Sequence, residues 1–109
     1  MNLTFAQLAG FANEWKHFRL TDEDLQSLER MLSAYPDAGA VMAGTGGLRK
    51  VRFAPPSRHS GKSGAFRGCY VHAKARHTVR LLSMFAKSDR ANLSAQQKAM
   101  LRRLIQSLM

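Results

Sequence analysis

The hydrophobic period changes twice along this chain, and that restricts the fold more than any other feature. Between Leu8 and Tyr35 apolar residues recur at helical spacing, first Leu8, Phe11, Ala12 and Trp15, then Leu25, Leu28, Leu32 and Tyr35. Thr21 is placed to N-cap the second of these helices, with Asp22, Glu23 and Asp24 in its positive first turn, and Pro36 ends it. From 48 to 86 the pattern is that of strands. Val51 and Phe53 alternate with Lys50 and Arg52, residues 66–72 form a second strand, and the apolar run 79–86 fits a central strand buried on both faces. Helical spacing returns in Met100, Leu101, Leu104, Ile105 and Leu108, behind a Ser94–Gln97 capping box. The glycine-rich stretch 38–47 and the segment 54–64 read as loops. At the start, Leu3 and Phe5 alternate like a short strand, while Thr4 and Gln7 could equally open a helix. The expected class is α+β, helices packed on a small antiparallel meander, in a single domain spanning 1–109.

Charge is distributed as unevenly as hydrophobicity. Residues 1–48 carry three basic and six acidic side chains, whereas 49–90 carry eleven basic ones and only Asp89. The whole chain has a formal charge of +10. A cationic half on a slightly acidic scaffold points to a polyanionic partner, most often nucleic acid, against the plainer reading of a solvated basic surface. A single cysteine, Cys69, excludes an internal disulfide framework and a cysteine-based zinc site. No apolar run approaches the ~20 residues that span a bilayer. Residues Met1–Phe5 lack the basic and apolar regions of a secretory signal, so the expected location is the cytoplasm, with no membrane partner.

Three small motifs are weighed and set aside. Gly61-Lys62-Ser63 ends like a phosphate loop, but Pro56 stands where the first glycine is required and no helix follows. Gly44-Thr45-Gly46-Gly47 is better explained as a turn into the next strand. His17, His59, His72 and His77 fall on different elements without carboxylates at ligand spacing, so no metal is expected. His59 and His72 keep a weak acid–base possibility, and Cys69 reads as a small core hydrophobe. The informative constellation is cationic: Arg49, Lys50 and Arg52 on one strand, Lys62 after it, Arg67 on the next, Lys87 at the end of the third. An antiparallel meander can bring these to one face, where like charges repel unless an anion sits among them.

Gly44-Thr45-Gly46-Gly47-Leu48-Arg49-Lys50-Val51-Arg52-Phe53 followed by Gly61-Lys62-Ser63-Gly64-Ala65-Phe66-Arg67 resembles the signature of HigB-type toxins in the RelE/ParE superfamily. Residues 81–89 and 92–98 continue the likeness in order. The resemblance implies an opening strand, two helices, a twisted antiparallel sheet and a C-terminal helix. It implies the toxin of a type II toxin–antitoxin pair, which enters the ribosomal A site and cuts mRNA by attack of a ribose 2′-OH on the adjacent phosphate, leaving a cyclic phosphate, without metal or cofactor. The implied partners are a cognate antitoxin with a helix-turn-helix domain, the ribosome and mRNA, with operator DNA reached only through the antitoxin.

Three positions depart from the family pattern. Phe85 replaces a tyrosine of several relatives and cannot exchange a proton; Ser88-Asp89 replaces Asn-Glu after Lys87; and Gly68 replaces an apolar strand residue, which should loosen the strand. The catalytic candidates are therefore Arg67, a permanently charged phosphate clamp, with Lys50 and Lys87, either of which cationic neighbours could make a general base. Arg49, Arg52, Arg58, Lys62 and Arg80 are assigned to RNA phosphates. The alternatives on the same fold are a ParE-like gyrase inhibitor and a degenerate nucleic-acid or ribosome-binding module.

Overall fold

The computed structural model describes residues 3–58, 65–86 and 93–109. The elements follow in the order β1 (Thr4–Gln7), α1 (Ala9–His17), α2 (Asp22–Ala34), β2 (Ala40–Val41), β3 (Arg49–Phe53), β4 (Phe66–Ala73), β5 (Thr78–Ala86) and α3 (Ala95–Leu108). They form one five-stranded sheet in the order β1-β5-β4-β3-β2. The segment that could have been a helix start is thus a strand. β1 runs parallel to β5, with Thr4 opposite Thr78 and Gln7 opposite Leu81, so the sheet is mixed rather than wholly antiparallel. The β3-β4-β5 meander is antiparallel, as its patterning indicates. β5 lies inside the sheet, but the middle position belongs to β4, because β1 closes the far side of β5.

Both expected helix caps form. Thr21 accepts from the amide of Asp24 and Ser94 from that of Gln97, each in a reciprocal capping box. α1 and α2 cover one face of the sheet, packing Phe11, Trp15, Leu28 and Leu32 against Val51, Phe53, Tyr70, Val79, Leu81 and Met84. Phe11, Trp15 and Phe53 stack successively at 5.4 and 6.2 Å. α3 covers only part of the opposite face, where Leu48, Cys69, Val71, Leu82 and Ile105 form a smaller core.

Three local features depart from the sequence expectation. The stretch 38–47 contains β2, which pairs Ala40 with Lys50 and Val41 with Arg49. Two residues are too few for a periodic signal; the Tyr70 hydroxyl holds them by accepting from the Gly39 amide and donating to the Pro36 carbonyl. Gly39 is needed there, since a Cβ would stand 2.9 Å from the Tyr70 ring. At Gly68 the strand keeps partners on both sides, Val51 and Met84, and the Met84 sulfur occupies the space a side chain would take. Finally, a bulge at Cys69/Tyr70 sets Leu82 and Ser83 against Cys69, returning both to the α3 side.

Candidate functional site

The site is built from strand parity. In β3, Val51 and Phe53 face α1 and α2, so Lys50 and Arg52 face the other way, toward α3. The register then fixes their neighbours. Arg52 stands opposite Arg67 and Arg67 opposite Phe85; Lys50 stands opposite Cys69 and Cys69 opposite Ser83. The outcome is two short rows on one face, Arg52–Arg67–Phe85 and Lys50–Cys69–Ser83. Side chains directly opposite one another have Cβ atoms ~4.5–5.5 Å apart, so two arginine side chains leave the sheet side by side, with that of Lys50 diagonally adjacent.

That arrangement is costly without a ligand. Like charges directly opposite across strands destabilise a sheet. Arg67 Nη1 is moreover shielded from solvent with no hydrogen-bond partner among the described residues. A buried donor left unpaired costs about 1–3 kcal/mol, and more when charged. Arg52 is exposed, whereas Lys50 and Arg67 are half-buried. An oxyanion reaching Arg67 would satisfy the orphan donor and screen the Arg52–Arg67 repulsion together.

Other cations expected at the site are engaged elsewhere. Arg49 shares the parity of Val51 and lies on the α1/α2 face, where it donates to the carbonyls of Asp37 and Gly39 at 3.1 and 2.7 Å and pairs with the Asp37 carboxylate at 3.5 Å. Arg58 donates to the Phe18 carbonyl and lies over the Phe66 ring. Arg80 donates to the Leu108 carbonyl at 3.1 Å, and Arg76 to that of Met109 at 2.8 Å, so these two arginines complement the negative end of α3. Lys62, Lys87 and His59 lie outside the described residues. The sequence cluster Arg49, Lys50 and Arg52 is thus divided by the pleat, and Arg58 and Arg80 are drawn off by backbone carbonyls distant in sequence.

The histidines do not converge either. His72 Nδ1 lies 3.0 Å from Asp37, which also pairs with Lys74 at 3.2 Å. The bond to His72, helped by Lys74 and Arg49 and only partly offset by burial, holds the Asp37 carboxyl below its usual range. His17 and His77 are exposed. Among the described residues no group of three or more histidine, cysteine or carboxylate side chains could hold a metal. Sequence reading missed Ser83, although its parity with Phe85 places it on the cationic face. It also missed Glu14, whose carboxylate accepts from the Met84 amide at 3.1 Å, close to where pairing with β1 stops.

A small α+β fold with a half-covered cationic sheet face defines the class. No protein-family model matches the sequence. Among solved structures, the chain is similar to a free-state double arginine-to-alanine mutant of the E. coli toxin RelE, at 16% identity and a TM-score of 0.57, over 82% of this chain and 88% of that one. It is also similar to the isolated E. coli RelE toxin, at 17% identity and a TM-score of 0.55, over 94% and 98% of the two chains. The fold is that of RelE.

Proposed function

We propose that this chain is a RelE-superfamily toxin of HigB type, the toxin half of a type II toxin–antitoxin pair, and that it cuts mRNA on the ribosome. The observation that carries this reading is the Arg52–Arg67 pair with its unpartnered buried Nη1 beside Lys50. In this mechanism Arg67 clamps the scissile phosphate and stabilises the charge that grows on its oxygens as the neighbouring 2′-OH attacks. Lys50, diagonally placed from Arg67 on the same face, is the candidate acceptor of the 2′-OH proton, with Lys87 the second candidate for that role. Arg52 binds the adjoining backbone; as the 2′-oxygen bonds to phosphorus, the bond to the 5′-oxygen of the next nucleotide breaks, that oxygen takes up a proton, and the cyclic phosphate stays on the upstream fragment. Neutralisation falls to an antitoxin. The apolar stripe of α3 supports that partner, because it divides in two: Leu101, Ile105 and Leu108 pack inward, while Met100 and Leu104 remain 64% and 40% exposed.

Expression in bacteria, with genome-wide mapping of mRNA 5′ ends and of DNA breaks, tests the reading. New mRNA ends that vanish in Arg67→Ala are the expected result. DNA breaks without mRNA ends would favour gyrase poisoning, and neither signal would leave only a binding module. Co-expression of an adjacent open reading frame should restore growth.

A further inference from the structure

The geometry points to a nucleobase-binding slot between α3 and the sheet, contiguous with the cationic rows. It rests on the reading of those rows as an RNA-phosphate site and adds the chemistry of the group that accompanies the phosphate. The slot has a volume of about 270 Å³ and is walled by Leu48, Leu82, Phe85, Leu101 and Leu104, with Ser83 among its few polar groups. That is just below the ~300–1,000 Å³ of pockets that hold drug-sized ligands, which suits a single flat ring system rather than a whole nucleotide.

Its position identifies the occupant. Phe85 is the register partner of Arg67, and Cys69 and Ser83, which also line the slot, continue the row of Lys50. The apolar slot and the cations therefore share residues on adjacent strands and face the same side of the sheet. A phosphate seated on Arg67 has its flanking ribose over the strands and its base directed at the Phe85 wall. Among the described residues no carboxylate lines the slot, and α3 carries none along its length, so the rim is electrostatically suited to a polyanion. Aromatic and aliphatic walls hold a base chiefly by stacking, which every base can supply, and single-stranded RNA presents its bases for that purpose. The bulge that returns Leu82 and Ser83 to this face supplies part of the wall.

Binding of the intact protein to a short fluorescent single-stranded RNA, made uncleavable by 2′-O-methylation, tests this when each base in turn is replaced by an abasic ribose. Removal of one particular base should weaken binding about tenfold, with the other positions near neutral. Leu104→Trp, which adds bulk at a partly exposed site, should abolish that positional effect while preserving salt-dependent affinity for the backbone. Equal affinity for every abasic oligonucleotide, with steep salt dependence retained, would overturn the slot and leave the phosphate site standing. Absence of salt-dependent RNA binding would overturn both.

Discussion

The two faces of the sheet contain the same residue types and treat them differently. On the α1/α2 face every basic side chain described above has a partner: Arg49 holds the 37–39 turn, His72 and Lys74 meet Asp37, and Arg58 reaches the Phe18 carbonyl. On the α3 face Arg52, Arg67 and Lys50 are crowded together, and the inner guanidinium retains an orphan donor. The first face is closed by aromatic stacking; the second is only partly covered by a helix whose fully buried residue is Ile105. Charge that stabilises the fold is paired locally. The charge left unpaired on the open face is the one an anionic ligand would satisfy.

The largest expected effect lies on the closed face. Phe11 is fully buried and stacked on Trp15, so Phe11→Ala should destabilise the protein by about 3–5 kcal/mol, read as a lower denaturation midpoint in urea. Activity should fall only in proportion to the unfolded fraction. On the open face Arg67→Ala should reverse that profile. Cleavage should fall a hundredfold or more, on the order of 3 kcal/mol of transition-state stabilisation, while the denaturation midpoint stays level or rises, because a buried unpaired donor is removed. A destabilised Arg67→Ala protein would assign Arg67 to the fold and erase the contrast between the faces.

Arg49 and Arg52 sharpen the comparison within one strand. Arg49→Ala loses hydrogen bonds from a charged donor, each worth roughly 1.5–3 kcal/mol when fully formed, and less here because Arg49 is part-exposed. It should lower stability and leave RNA affinity nearly unchanged. Arg52→Ala should do the opposite, reducing the slope of log affinity against log salt by about one unit. Equal salt slopes in the two variants would show that parity does not sort these cations by role.

Much of this is legible in the sequence alone. The Thr21 and Ser94 capping boxes are local, so three residues suffice to read them, and the alternation Lys50–Val51–Arg52–Phe53 already assigns the two strand faces. Applied to Arg49, the same alternation would have separated it from Lys50 and Arg52. What could not be read depends on partners remote in sequence. β2 exists because Tyr70, some thirty residues later, binds Gly39. Arg58 and Arg80 are taken by the carbonyls of Phe18 and Leu108, and a backbone acceptor leaves no mark on composition. The bulge that places Leu82 and Ser83 on the α3 face is a register event between two strands, with no signature in either strand alone.

The smallest expected effect concerns Asp24, a buried carboxylate that ties the start of α2 to the segment after β3. It accepts from the Thr21 amide at 2.9 Å, from the Ser57 amide at 3.0 Å and from the Ser57 hydroxyl at 2.5 Å. Burial pushes this carboxyl up, but the bonds from Ser57 and Thr21 outweigh it and hold it below the ordinary 3.8. A depressed folded value means that the unfolded chain takes up the proton first as pH falls. The stabilisation is therefore fully present above 3.8 and is lost as pH descends through the lower folded value. Ser57→Ala removes one donor and should cost about 1 kcal/mol near neutral pH, a shift in Tm of about 4–8 °C for a domain near this size. As pH falls from 3.8 through the lower folded value the gap between variant and wild type should narrow, since both then lose the ionised acceptor. Asp37 also titrates low, but it does so equally in both proteins and cancels from the difference. A Tm gap that stays constant down to pH 2 would show that the Ser57 clamp does not depend on the Asp24 charge, and that this paired charge does not stabilise the closed face in the way its geometry implies.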